Sequence, residues 1–129
     1  MRYSLNLEYI KQAMIDCFES HKLNHDEIEK EFDSDYKMSW DKDFDVQYSH
    51  LVDSIKAFES AKKENDKAAQ KALLILARVI AHGISSLFED LMDDLEKTAF
   101  SEKFNFPKLP EGYKIPEDYY INSSLKDIL

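Results

Sequence analysis

The chain has 129 residues, a formal charge of −9 and an isoelectric point near 4.9. That length suits one domain with a single core, and the acidity argues against nucleic acid or an anionic membrane surface as the main partner. Two glycines, three prolines and one cysteine argue against a loop-rich or disulfide-stapled fold and suit a reducing cytoplasm, where the chain is expected to work.

Met1–Ser4 leads directly into a helical pattern, so no signal-peptide apolar region is expected. Leu7, Ile10, Met14, Cys17, Phe18 and His21 then recur at helical spacing, which predicts a first helix from Ser4 or Asn6 to about His21. Cys17 lies on that stripe and reads as a small buried apolar residue. Asn24 with Glu27 three residues on forms a capping-box signature and predicts a short second helix with Ile28 and Phe32 inward. Ser34–Trp40 reads as a connection, with Trp40 either tucked beneath it or displayed.

A third helix is expected from Asp41 or Asp43, acids that suit the positive end of a helix dipole, to about Ala61–Glu64. Phe44, Tyr48, Leu51, Ile55 and Phe58 are spaced 4, 3, 4, 3, a seam for a partner helix. Asn65 or Asp66 caps the next helix. From Ala72 to Ala81 only Arg78 is polar, so this stretch is expected to be a central helix packed on several sides. The run is too short, and too soon interrupted by Arg78 and His82, to be read as a membrane span. Gly83 as a helix stop, Ser86 with Glu89 as a new cap, and a compact domain only about 35 Å across predict a break or kink at His82–Ser85. Against it, Leu73, Leu76, Ile80, Ile84, Leu87, Leu91 and Leu95 keep helical phase straight through. A last helix then carries Leu87, Phe88, Leu91, Met92 and Leu95 inward.

From Phe100 the chain interleaves aromatics with Pro107, Pro110, Gly112 and Pro116. Such a segment cannot continue a regular helix, and an extended arm laid over the body is expected, closing in a turn of helix at Ser124–Ile128. The sequence thus predicts one all-α domain, 1–129. It is a compact bundle of about five helices around a central apolar helix (1–99) with a Pro/aromatic-rich arm packed on it (100–129).

No catalytic or cofactor motif emerges. A di-metal carboxylate bundle needs Glu-x-x-His pairs, which the chain lacks. His21 and His25 straddle a helix boundary, and His50 and His82 read as structural. Ser85-Ser86 beside His82 lacks the strand–turn–helix setting of a nucleophile elbow. Two glycines cannot build a phosphate-binding loop. The expectation is a non-enzymatic protein without cofactor or metal.

Charge is the remaining signal. Residues 26–45 hold nine acids against three lysines, and residues 89–96 hold five acids and no cation. One reading is a solvated surface. The other is a face for a basic partner, whose encounter such a field accelerates. On that reading the contacts are Asp26, Glu27, Glu29, Glu31, Asp33, Asp35, Asp41, Asp43 and Asp45, with Trp40 as an apolar anchor, then Glu89, Asp90, Asp93, Asp94 and Glu96. The expected role is inhibition of a basic toxin or nuclease, as an immunity protein or antitoxin would act. A helical subunit that self-associates as a homodimer, through the Phe44–Phe58 seam or the arm, is the alternative.

Overall fold

The computed structural model describes residues 6–129; the option of a helix start at Ser4 lies outside them. Helix α1 spans Leu7–Ser20, α2 His25–Glu31, α3 Trp40–Lys63 and α4 Lys67–Phe100, and 3₁₀ turns at Glu117–Tyr119 and Ser124–Asp127 come after them. Among the described residues there is no strand. The all-α expectation holds, with four α-helices rather than five.

Local chemistry sets the boundaries. Lys22, in the left-handed region (φ 65), ends α1, and the Leu23 N–H donates to the Phe18 carbonyl at 3.0 Å. This is a Schellman closure, which normally favours glycine at that position. Helix α2 opens with the expected capping box between Asn24 and Glu27. Ser39 caps α3, which starts at Trp40, slightly ahead of the expected acids. At its end the Asp66 N–H donates to the Ala61 carbonyl at 2.9 Å and the Asn65 N–H to Lys62 at 3.1 Å. Asn65 takes the left-handed conformation (φ 57), and the Asp66 side chain caps α4.

Joined by that tight turn, α3 and α4 form an antiparallel hairpin. Its seam on α4 runs Gln70, Leu73, Ala77, Ile80, Ile84, Leu87, Leu91, Asp94, Thr98, all buried or half-buried. The spacing is 3, 4, 3, 4 without interruption, the repeat of two helices in register. The expected break at His82–Ser85 is absent. It presumes a compact domain about 35 Å across, but a helix of this length extends about 50 Å, so the hairpin projects past the body. Gly83 serves close approach instead of termination: a Cβ there would meet Gln47 Oε1 at 2.7 Å.

Two further expectations are corrected. The α3 seam is Phe44, Gln47, Leu51, Ser54, Phe58 and Ala61, so Tyr48 and Ile55 point away from α4, 53% and 40% exposed. Nor is the apolar stretch of α4 enclosed on all sides. Leu74, Ile75, Leu76 and Val79 are 48–61% exposed. As one unbroken helix, α4 is long and apolar enough, by length and composition, to cross a bilayer.

The body sits at the hairpin's open end. One cluster joins Met14, Phe18, Leu23, Ile28, Phe32 and Phe104, with Phe18 stacked on Phe32 at 4.2 Å. A second joins Leu7, Trp40 and Leu91. The first turns of α1 and α3 cap each other: the Leu7 N–H donates to Asp41 Oδ1 at 2.8 Å, while Glu8 accepts from the Trp40 and Asp41 N–H groups. The arm docks through buried Phe104, against which Phe106 stacks.

Candidate functional site

The two acidic segments lie far apart in sequence and meet in space because of one residue. Asp94, on the α4 seam, has no exposed surface. Its Oδ1 accepts from the Asp33 N–H at 2.7 Å, and its Oδ2 accepts from the Ser34 N–H at 3.0 Å and the Tyr36 O–H at 2.8 Å. Three donors satisfy a carboxylate that would otherwise be costly to bury. The α2–α3 connection is thereby fixed along α4, with Asp33 close to Asp90 and Asp93.

Between connection and hairpin lies a cleft of about 220 Å³. Asp33, Asp35, Asp43 and Asp90 line it, over a floor that includes Met38, Trp40 and Leu87. Burial raises the proton affinity of Asp90, and the charges of Asp33, Asp94, Asp93 and Glu89 add to the effect. Asp93 is raised first by desolvation, then by a hydrogen bond shared with Asp33 and by the charges of Asp33 and Glu96, against a lowering contribution from Lys97. Repulsion between the carboxylates is therefore only partly offset within the fold.

The expected contacts divide into groups. Asp94, Asp41 and Glu27 work inside the fold as staple, α1 cap and α2 capping-box partner. Of the two places expected for Trp40, the structure takes the tucked one: it is 3% exposed, and its indole N–H donates to the Asp35 carbonyl at 2.7 Å. Tucked under the connection, it is no displayed anchor. Glu29, Glu31 and Asp33 are paired with Lys37, Lys103 and Lys97, and Asp43 accepts from Gln47 at 2.7 Å. Asp26, Asp45, Glu89 and Glu96 are exposed. Asp33, Asp35, Asp43 and Asp90 are brought together at the cleft, with Asp93 beside Asp33.

Elsewhere the chemistry is quiet. Burial raises the Cys17 thiol above its ordinary value, the opposite of an activated nucleophile. His21 places Nδ1 2.8 Å from the Cys17 carbonyl and packs edge-on against Phe104. Among the described residues no group of three or more His, Cys, Asp or Glu side chains is placed to hold a metal ion. No family model, curated protein or solved structure matches the chain.

Proposed function

We propose that this protein is a non-enzymatic acidic binder that inhibits a basic partner protein, in the manner of an immunity protein or antitoxin acting on a cytoplasmic toxin nuclease. The observation that supports it is the convergence of Asp33, Asp35, Asp43 and Asp90 around one cleft, with the carboxyls of Asp90 and Asp93 held above their ordinary range. Carboxylates left to repel one another cost stability. A cation from outside relieves that cost on binding, which makes the surface selective for a basic group. The cleft's composition suits a lysine or arginine side chain, with the alkyl stem on the apolar floor and the charged head among the carboxylates. In this reading the arm beyond Phe106, with Tyr113 and Tyr119 exposed, supplies the aromatic contacts that Trp40 does not.

The test is a tagged pull-down from the native cells, eluted by a salt step, then kinetics with the captured protein. Substituting Asp90→Lys with Asp93→Lys should slow association at least tenfold at low salt while leaving the melting temperature unchanged or higher. Recovery of the bait alone, or an unchanged association rate, would refute the proposal.

A further inference from the structure

The α3–α4 hairpin buries polar residues among the apolar ones of its seam and shows several apolar residues outside it, and this outer surface is separate from the acidic cleft. On the seam it buries Ser54 (5% exposed) and Gln70 (9%), and the Gln70 Nε2 has no hydrogen-bond partner. Outside it shows Tyr48, Ile55, Leu74, Ile75 and Val79, 40–61% exposed. A free-standing hairpin needs apolar residues only at the two seam positions of each heptad. Helices of a bundle carry a third apolar row beside them.

Helix α4 has that row: Leu74, Ala81, Phe88 and Leu95 recur every seven residues, each just after a seam residue. The matching row on α3 reads Tyr48 and Ile55, with half-buried Val52 beside it. The rows lie on the same face, since Phe44 stacks on Tyr48 at a centroid spacing of 6.1 Å and meets the Phe88 ring edge-on at 6.0 Å. The hairpin is patterned for a four-helix bundle, and along this face only α3 and α4 themselves contribute.

We propose that a second copy of this chain covers the face, two hairpins packing antiparallel as a four-helix bundle. Charge along the face selects that occupant. Toward the turn it is flanked by Lys62, Lys71 and Arg78 against Glu59, and toward the body by Asp45, beside the α1-capping carboxylate of Asp41. A two-fold axis across the hairpin sets the basic tip of each copy on the acidic base of the other. Such a surface is self-complementary, as an isologous interface requires. The area is sufficient. Half-exposed side chains of this size leave about 80–100 Å² each in water, so the apolar row with its charged flanks gives about 700–800 Å² per copy, a partner's share of a standard interface.

Sedimentation equilibrium of the whole protein between about 5 and 200 µM tests the proposal, with far-UV circular dichroism on every variant and lipid vesicles in a parallel arm. The expected result is a dimer that Leu74→Glu, at an exposed position, converts to monomer without loss of helicity. Lys62→Glu should weaken the dimer at least tenfold at low salt. Adding Asp45→Lys to Lys62→Glu should restore it, because the two new charges meet across the two-fold. A monomer at all concentrations overturns the proposal, and a monomer that binds vesicles assigns the face to a bilayer instead. A dimer indifferent to Leu74→Glu moves the interface elsewhere, and failure of the paired swap overturns the antiparallel arrangement.

Discussion

Replacing Asp94 by asparagine keeps the shape of the side chain and removes what the α2–α3 connection depends on. The carboxylate accepts three hydrogen bonds, from the Asp33 N–H, the Ser34 N–H and the Tyr36 O–H. In its better orientation the amide turns its NH₂ toward the Asp33 N–H and keeps its oxygen for the other two donors. One charge-assisted bond is lost, worth about 1.5–3 kcal/mol, and a buried donor is left facing another, costing about 1–3 kcal/mol. The expected destabilisation is about 3–5 kcal/mol, a large fraction of a total near 5–15 kcal/mol. Urea unfolding followed by circular dichroism should show the midpoint falling with little change in slope. Tyr36→Phe should cost about 1.5–3 kcal/mol, and less in the Asp94→Asn background, because the two share a bond. A loss below about 1 kcal/mol for Asp94→Asn would show that the connection is held by packing, and the staple reasoning would be wrong.

Stability at high pH should track Tyr36, whose phenol is raised far above its ordinary value of 10.0 by burial and by Asp94. The folded state then holds that proton more tightly than the unfolded one, so stability falls as pH rises past about 10, and Tyr36→Phe should flatten the fall in urea titrations. At the acid end, Asp90 and Asp93 are raised from 3.8. The folded state binds more protons just above that pH, so their contribution declines as pH rises through the raised values. Asp90→Asn should therefore be more stable than the parent at pH 7, with the advantage gone near pH 3. Gln70→Leu should raise stability by about 1 kcal/mol in denaturant unfolding by removing an unsatisfied buried donor. Gly83→Ala should be nearly neutral alone, because the gain in helix propensity is offset by Gln47 Oε1. In a Gln47→Ala background the same change should stabilise by about 1 kcal/mol, read from the shift in urea midpoint.

What the sequence made legible is what short-range chemistry decides. The Asn24–Glu27 capping box and the Asp66 cap rest on residues three apart, and both are present in the fold. The break at His82–Ser85 failed because an assumption about compact shape was set against unbroken hydrophobic phase, and phase prevailed. The α3 seam lies one row away from the most apolar one. Tyr48 and Ile55 are more apolar than Gln47 and Ser54, yet the smaller and polar row faces α4, where Gly83 admits close approach. Asp94 was hidden among acids, and burial of a carboxylate is not what composition suggests. Its signal lay in position, for Leu87, Leu91, Asp94 and Thr98 continue the seam at 4, 3, 4. The cleft was legible only as two distant acidic segments, since what joins them is that one buried side chain.

The same staple sets a schedule for the nascent chain. Asp33 is separated from its acceptor by 61 residues, so a ribosome adding about 5–20 residues per second emits the connection roughly 3–12 s before Asp94 exists. Over that interval α1 and α2 can form helical turns and α1 can cap the start of α3, but neither can fasten to the far end of α4, and Phe104, which completes their apolar cluster, is made later still. The amino-terminal third therefore waits for the carboxy-terminal third. A truncation shortly before Asp94 should release a chain whose early helices never lock, the form in which a protease would find them first.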